Sequence, residues 1–452
     1  MYNDKKIAAI QARVNQEFLK LTPKSREQHE KSRGYWLRGV PMHWMVDWQC
    51  AYPLYIDRAQ GVTMTDLDGN HYADFCLGDT GSMFGHSTPE IVEALTTQAS
   101  RGITTMKPSR DAEAVGKLLT DIFGMAVWQV TATASDANRS IIRWCRAVTG
   151  RQKLLVFNQC YHGSVDETLV VHRPGGALGE ADYDPILSMH GQEANGVALV
   201  EFNDLPSLRK ILETGTVACI LAEPIMTNVG MVLPDDGYWA EVRRLCTETG
   251  TLLIIDETHT ISSGPGGHFR ELGLKSDALV LGKPVAGGVP AGVYGVTAEL
   301  AGRISDYFNR IGTTGRSGTS TTLSGSPFQL ALMRKVLATS FTAATYAPMI
   351  AKAKGLEAGI KAIIAEFKAP WVVIRVGARV EFMCSPTPPH NGSEALKVIA
   401  QPIDTLIHAF LINHGVVITP FHNMMLISPV TTDTDVEKFL KAFRAVTKEL
   451  ME

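Results

Sequence analysis

Four short runs in the middle of the chain are apolar or nearly so from end to end. They are Lys153-Leu154-Leu155-Val156-Phe157, Cys219-Ile220-Leu221-Ala222, Leu252-Leu253-Ile254-Ile255 and Ala278-Leu279-Val280-Leu281. A strand with one wet face alternates; runs without alternation suit strands covered on both faces. Helix-period segments lie between them, and Tyr238–Cys246 reads as an amphipathic crossover helix. Strand and helix in alternation predict βαβ units and a mostly parallel sheet. Each run also leads into polar or reactive residues: Tyr161-His162-Gly163, Glu223-Pro224, Asp256-Glu257 and Gly282-Lys283. Ligands of open α/β sheets sit outside the carboxyl ends of strands, so four such ends together point to one site.

Two of these ends carry specific chemistry. A carboxylate at Asp256 can hold a pyridinium N–H and keep such a ring electron-poor. A lysine at Lys283 can bind a carbonyl covalently and, once released, move a proton between two carbons. A third element is Val127-Trp128-Gln129-Val130, a strand-like run followed by Thr131-Ala132-Thr133-Ala134-Ser135 and then Ile141, Ile142, Trp144 and Cys145 at helical spacing. A helix start rich in hydroxyls suits a phosphate, and equally describes a simple N-cap on Thr133 or Ser135. Tyr161 can stack on a flat ring or pack structurally.

Composition narrows the class without naming it. The chain has 452 residues, 45% hydrophobic and 20% charged, with a formal net charge of −3. That describes a soluble protein of more than one domain, with no charge excess to draw it to nucleic acid or anionic membrane. The start is polar, no run nears the about 18 apolar residues of a membrane span, and seven cysteines without a C-x-x-C pair fit reduced thiols, so a cytoplasmic location is expected. No His/Asp/Glu cluster has ligand spacing, and no metal is expected. Cys160 beside His162 is a weak hint of a thiol nucleophile, and no G-x-G-x-x-G with an acidic residue about 20 positions later supports a nicotinamide enzyme. From about Phe328 a long helical stretch, Val372–Val376, an alternating run at Arg379–Met383, a strand-like Val416–Thr419 and a closing helix from about Asp433 read as a smaller α+β domain.

Ser276-Asp277-Ala278-Leu279-Val280-Leu281-Gly282-Lys283, followed by Gly287-Gly288-Val289-Pro290-Ala291-Gly292, places aspartate, strand, Gly-Lys and Gly-Gly-x-Pro-x-Gly in register. With Asp66–Asp74 and Gly85-His86-Ser87-Thr88-Pro89, the chain resembles the class III (fold type I) aminotransferases that depend on pyridoxal 5′-phosphate (PLP), close to the glutamate-1-semialdehyde aminomutase and β-phenylalanine aminotransferase branch. The resemblance implies a large α/β domain with a mixed, mostly parallel seven-stranded sheet, residues 76–330. Residues 1–75 and 331–452 would supply a small α+β domain and the substrate entrance. It further implies that Lys283 is the Schiff-base lysine, that Asp256 meets the pyridine nitrogen, that Thr133, Ala134 and Ser135 hold the phosphate, and that Tyr161 stacks on the ring. Thr322, in Thr322-Leu323-Ser324-Gly325-Ser326-Pro327, would reach the phosphate of a neighbouring subunit and so implies a homodimer with shared sites.

The departures from the family pattern concern tuning and substrate. Ala134 stands where the family carries glycine, which works only if that backbone has φ < 0. Thr258 and His259 follow Asp256-Glu257 where Val or Ile and often Gln are usual; His259 either bonds the cofactor's phenolic oxygen or is a solvated loop residue. Relatives that act on amino acids hold the carboxylate with an arginine fork, but His43-Trp44 and Phe421–Leu426 contain none. Trp36, Trp44, Trp48 and Tyr52 crowd the N-terminal segment, which suggests a bulky, aromatic or β-amino substrate. Trp44, Glu223 and Arg379 are the candidate substrate contacts. The expected activity is amino transfer from an amine or amino acid to a keto or aldehyde acceptor, with an aminomutase or racemase on the same fold as the alternative.

Overall fold

All four apolar runs are strands of one seven-stranded sheet in the computed structural model, which describes residues 4–48, 50–184, 193–312, 318–399 and 402–452. In chain order the strands are β1 (Val127–Thr131), β2 (Lys153–Phe157), β3 (Val197–Val200), β4 (Val217–Ala222), β5 (Leu252–Asp256), β6 (Ala278–Leu281) and β7 (Gly292–Val296). Their order across the sheet is β1-β7-β6-β5-β4-β2-β3. The pairs from β6 to β3 are parallel, and only β7 runs against its neighbours. Every residue of β4, β5 and β6 is buried, which is why these segments show no alternation.

Helix α1 (Ala134–Thr149) follows β1 and covers one face of the sheet. Its apolar stripe of Ala137, Ile141, Ile142, Trp144 and Cys145 packs in one cluster with Leu154, Val156, Leu221, Ile254 and Val280. Thr133 caps its start by accepting the Asp136 N–H, and Gly150, at φ +69°, ends it. The predicted crossover helix is α2 (Tyr238–Thr249).

The chain divides into two compact units. Pro89–Ala343 and Pro389–Leu396 form the larger, which holds the seven-stranded sheet; Met1–Thr88, Ala344–Pro388 and Lys397–Glu452 form the smaller. The expected break at 330/331 falls inside α3 (Pro327–Thr339). Gln329 on that helix donates its amide to the carbonyls of Thr131 and Pro290, which ties the helix to the sheet, and the continuous helical stretch expected there is broken before Ala343–Phe367.

The smaller unit carries two sheets of its own. Ile56–Gln60, Thr63–Asp66 and His71–Asp74 form an antiparallel set completed by Val416–Val417; Val372–Val376, Arg379–Met383 and Met424–Leu426 form the other. The alternation in Arg379–Met383 does not produce one wet face, since all five residues are buried. Arg379 donates to the Thr80 hydroxyl and, at 3.4 Å, to the Met424 sulfur, and Glu381 lies 2.8 Å from His422 Nδ1. Among the described residues no single helix is long and apolar enough to cross a membrane.

Two glycines allow the strand ends to approach α1. A Cβ on Gly292 would lie 2.4 Å from the carbonyl carbon and oxygen of Thr133, and one on Gly282 would lie 2.7 Å from Ala134 Cβ. Gly292→Ala should therefore push backbone against backbone and destabilise the protein by about 1–3 kcal/mol, the usual range for overpacking. Chemical denaturation monitored by fluorescence checks this, and an unchanged midpoint would contradict it.

Candidate active site

Asp256 closes β5, and its carboxylate accepts four hydrogen bonds. Asn138 Nδ2 and His162 Nδ1 lie 2.9 Å from Oδ2, while the Thr258 N–H (3.0 Å) and hydroxyl (2.5 Å) meet Oδ1. Those donors come from α1, from the turn after β2 and from the residue two places on. Burial works against charge on this carboxylate, yet His162, then Thr258 and Asn138, hold it down at about 2. Burial also works against charge on His162, and Cys160 and Asp256 overcome it and push the imidazole up to about 10. The His162 imidazole and the Asp256 carboxylate therefore each favour the charged form of the other.

Lys283 stands just beyond the end of the neighbouring strand. Asp256 pairs in register with Val280 of β6, so Lys283, three residues further on, reaches the same edge of the sheet. Its φ of +49° is left-handed, a conformation that costs a side-chain-bearing residue about 1–3 kcal/mol and is concentrated at functional sites. The Lys283 amine is hydrogen-bonded to His259 Nε2. On the other side of the ring, His259 Nδ1 lies 2.7 Å from the Thr227 hydroxyl, which in turn bonds Glu223 Oε2. His259 is thus buried rather than a solvated loop residue.

The first turn of α1 belongs to the same edge. Ala134 is not among the residues with positive φ, which meets the condition for alanine at this position. The Ser135 hydroxyl accepts the Ser164 N–H at 3.0 Å, and a Cβ on Gly163 (φ +79°) would collide with it. Asn138 holds the His162 carbonyl at 3.1 Å, so the Tyr161-His162-Gly163 turn is fastened to α1 on both sides. Tyr161 itself is half-buried. Thr322 is exposed and lines, with Lys107, Gln129, Thr321 and Ser324, a groove of about 500 Å³ on the larger unit. Trp44 and Arg379 lie in the smaller unit: Trp44 packs edge-on against Phe421 with ring centroids 5.1 Å apart, and Arg379 is fully buried. Among the described residues no group of His, Cys, Asp and Glu could hold a metal ion.

The aminotransferase class-III family model matches residues 45–447. The chain belongs to this family. A solved glutamate-1-semialdehyde-aminomutase from Pseudomonas aeruginosa PAO1 is 42% identical, covers 99% of both chains and superimposes with a TM-score of 0.96. A lysine-to-alanine variant of that protein was solved in complex with PMP. The β-phenylalanine aminotransferase of Variovorax paradoxus shares the fold at 22% identity, TM-score 0.85, over 97% of each chain. Among curated proteins, the glutamate-1-semialdehyde 2,1-aminomutase of Anaeromyxobacter dehalogenans strain 2CP-C is 29% identical over 88% of this chain and 91% of its own.

This class-III enzyme uses PLP, and the residues at the edge fit it. A buried carboxylate held toward its anionic form suits a pyridinium N–H, a lysine beyond the next strand end suits an aldehyde, and the hydroxyl-bearing start of α1 at Thr133 and Ser135 suits a phosphate. Asn138 escaped sequence reading as a site residue, although a polar residue in the stripe of Ile141, Ile142 and Cys145 is a signal, because a buried amide needs partners. The partnership of His162 with Asp256, and the part played by Thr227, left no such mark.

Because the Asp256 carboxyl is more acidic in the folded chain than in the unfolded one, its contribution to stability is present above about pH 4 and is lost as pH falls through about 2. Asp256→Asn should remove about 2 kcal/mol of the acid-side loss of stability over that window. Denaturation midpoints of both proteins against pH provide the check; parallel curves would exclude the ionised assignment.

Proposed function

We propose that this enzyme moves an amino group between neighbouring carbons of one small molecule, a reaction of the 2,1-aminomutase type, with Lys283 as its cofactor lysine. The observation that carries the reading is the presence at one sheet edge of the Asp256 carboxylate, whose pKa is held down, and of Lys283 just beyond the end of the adjacent strand. When bound, PLP supplies an electron-withdrawing ring that stabilises negative charge on the carbon next to the substrate nitrogen. Asp256 would keep the ring nitrogen protonated. Lys283 would anchor the group and then carry a proton on Nζ between the two carbons. Thr133, Ala134 and Ser135 would hold the phosphate at the start of α1, Tyr161 would flank the ring, and Thr322 would serve the site of a second subunit in a homodimer. The aminomutase form of the reading draws on the names of relatives at 42% and 29% identity.

A second reading, transfer to a separate keto or aldehyde acceptor, is favoured by one observation. Neither His43-Trp44 nor Phe421–Leu426 carries an arginine, and within the smaller unit Trp44 packs against Phe421, an aromatic pair that suits a bulky substrate better than an anion.

Substrate amine labelled at nitrogen, incubated with an unlabelled keto acid, separates the two. Label recovered on the neighbouring carbon of the same molecule supports the aminomutase reading, and label on the keto acid supports transfer. Lys283→Ala should lose the covalent absorbance band and lower turnover by at least about 10³-fold. A variant that keeps the band would remove Lys283 from the mechanism.

A further inference from the structure

Glu223, Thr227 and His259 form a buried chain that the assigned roles of Lys283, Asp256 and the phosphate turn leave unused. Glu223 directly follows β4, Thr227 lies in the loop after it, and His259 lies in the loop after β5. Their contacts run without a gap: the Lys283 amine to His259 Nε2, His259 Nδ1 to the Thr227 hydroxyl at 2.7 Å, and that hydroxyl to Glu223 Oε2. His259 Nδ1 and Glu223 Oε2 are 4.0 Å apart, so Thr227 bridges them. Asn228 Nδ2, at 3.2 Å, occupies the other carboxyl oxygen.

We infer that His259, Thr227 and Glu223 are a proton relay that carries the proton of the Lys283 ammonium to a buried carboxylate. The inference rests on the reading of Lys283 as the cofactor lysine. In one state the Lys283 ammonium donates to His259 Nε2, His259 Nδ1–H donates to Thr227, and Thr227 O–H donates to ionised Glu223. Moving one proton along each link leaves a neutral Lys283 amine, His259 in its other tautomer, Thr227 intact and Glu223 as the acid. One proton leaves Nζ, one arrives at Oε2, and a separated charge pair is cancelled inside a region with little water to solvate it. The neutral amine is the form that attacks a carbonyl and the form that removes a proton from carbon.

The surroundings of Glu223 raise its affinity for a proton. Burial pushes its carboxyl up, and ionised Asp256 on the next strand adds to this, while His162 and the hydrogen bonds from Thr227 and Asn228 pull the other way; the balance is upward. His259 and Thr227 are positioning residues in this scheme, because they act through Lys283.

Infrared difference spectra of the full-length protein, taken as pyridoxal 5′-phosphate is added, test the relay directly. Covalent attachment should bring up a protonated-carboxyl band that is absent in Glu223→Gln and in Thr227→Val and restored in Thr227→Ser. The attachment rate should fall by about 10²-fold in Thr227→Val, the lower end of the range for general acid–base assistance, and recover in Thr227→Ser. His259→Gln keeps hydrogen-bonding groups but passes no proton, so it should match Thr227→Val. Attachment through Lys283 without the band, or with a band that persists in Glu223→Gln, overturns the relay alone. A wild-type protein that attaches the cofactor at no lysine, or a Lys283→Ala variant that attaches it as well, overturns the cofactor reading together with the relay.

Discussion

The ionised carboxylate of Asp256 is the constraint around which the larger unit is arranged. Removing a carboxylate from water costs several kcal/mol even after the interior relaxes, and a single partner rarely repays that. Here four donors do so, and they come from separate pieces of chain: Asn138 from α1, His162 from the turn after β2, and Thr258 from beyond β5. Each donor can reach Asp256 only if its own element is docked. The helix, the turn and the strand end are therefore positioned by the same charge that a pyridinium would meet.

Close approach of backbone is the second requirement, and it explains the glycines better than flexibility does. Gly292 and Gly282 run against Thr133 and Ala134, where any side chain would force the helix start away from the strand ends. Gly163 does the same for Ser135. Lys283 meets the opposite demand, since it needs its side chain and yet sits at a φ that glycine prefers. That strain is held by the register of β6 between β5 and β7, two buried strands that leave the residue after Gly282 no other course.

Much of this was legible before any coordinates. Runs that are apolar throughout mark buried parallel strands, and the polar residues that end them mark the site, because both follow from local pattern and the handedness of the fold. Asp256 and Lys283 stood out for that reason. The residues that tune them did not, since Asn138 reaches Asp256 across 118 positions of sequence and Thr227 reaches His259 across 32. Pattern alone does not report burial where tertiary partners satisfy polar groups: Arg379 and Glu381 alternate with apolar residues, and Thr80, Met424 and His422 meet them in the interior. The break expected at 330/331 lies within α3, which Gln329 fastens to the sheet.

Two carboxylates at neighbouring strand ends are thus shifted in opposite directions by the groups around them. Asp256 accepts four hydrogen bonds, one of them from His162, and its carboxyl is held down. Glu223 has a hydroxyl, an amide and a backbone N–H at 3.5 Å, donors too weak to outweigh its burial. Their interaction is not neutral, because the negative charge on Asp256 raises the carboxyl of Glu223 further. The arrangement that would ready Asp256 to hold a cationic ring therefore also raises the proton affinity of Glu223. Pairs of acids whose environments separate them in this way divide the labour of a site between a fixed charge and a movable proton. On the proposed division, Asp256 would act on the cofactor's ring and Glu223 on Lys283, and neither would substitute for the other despite their similar chemistry.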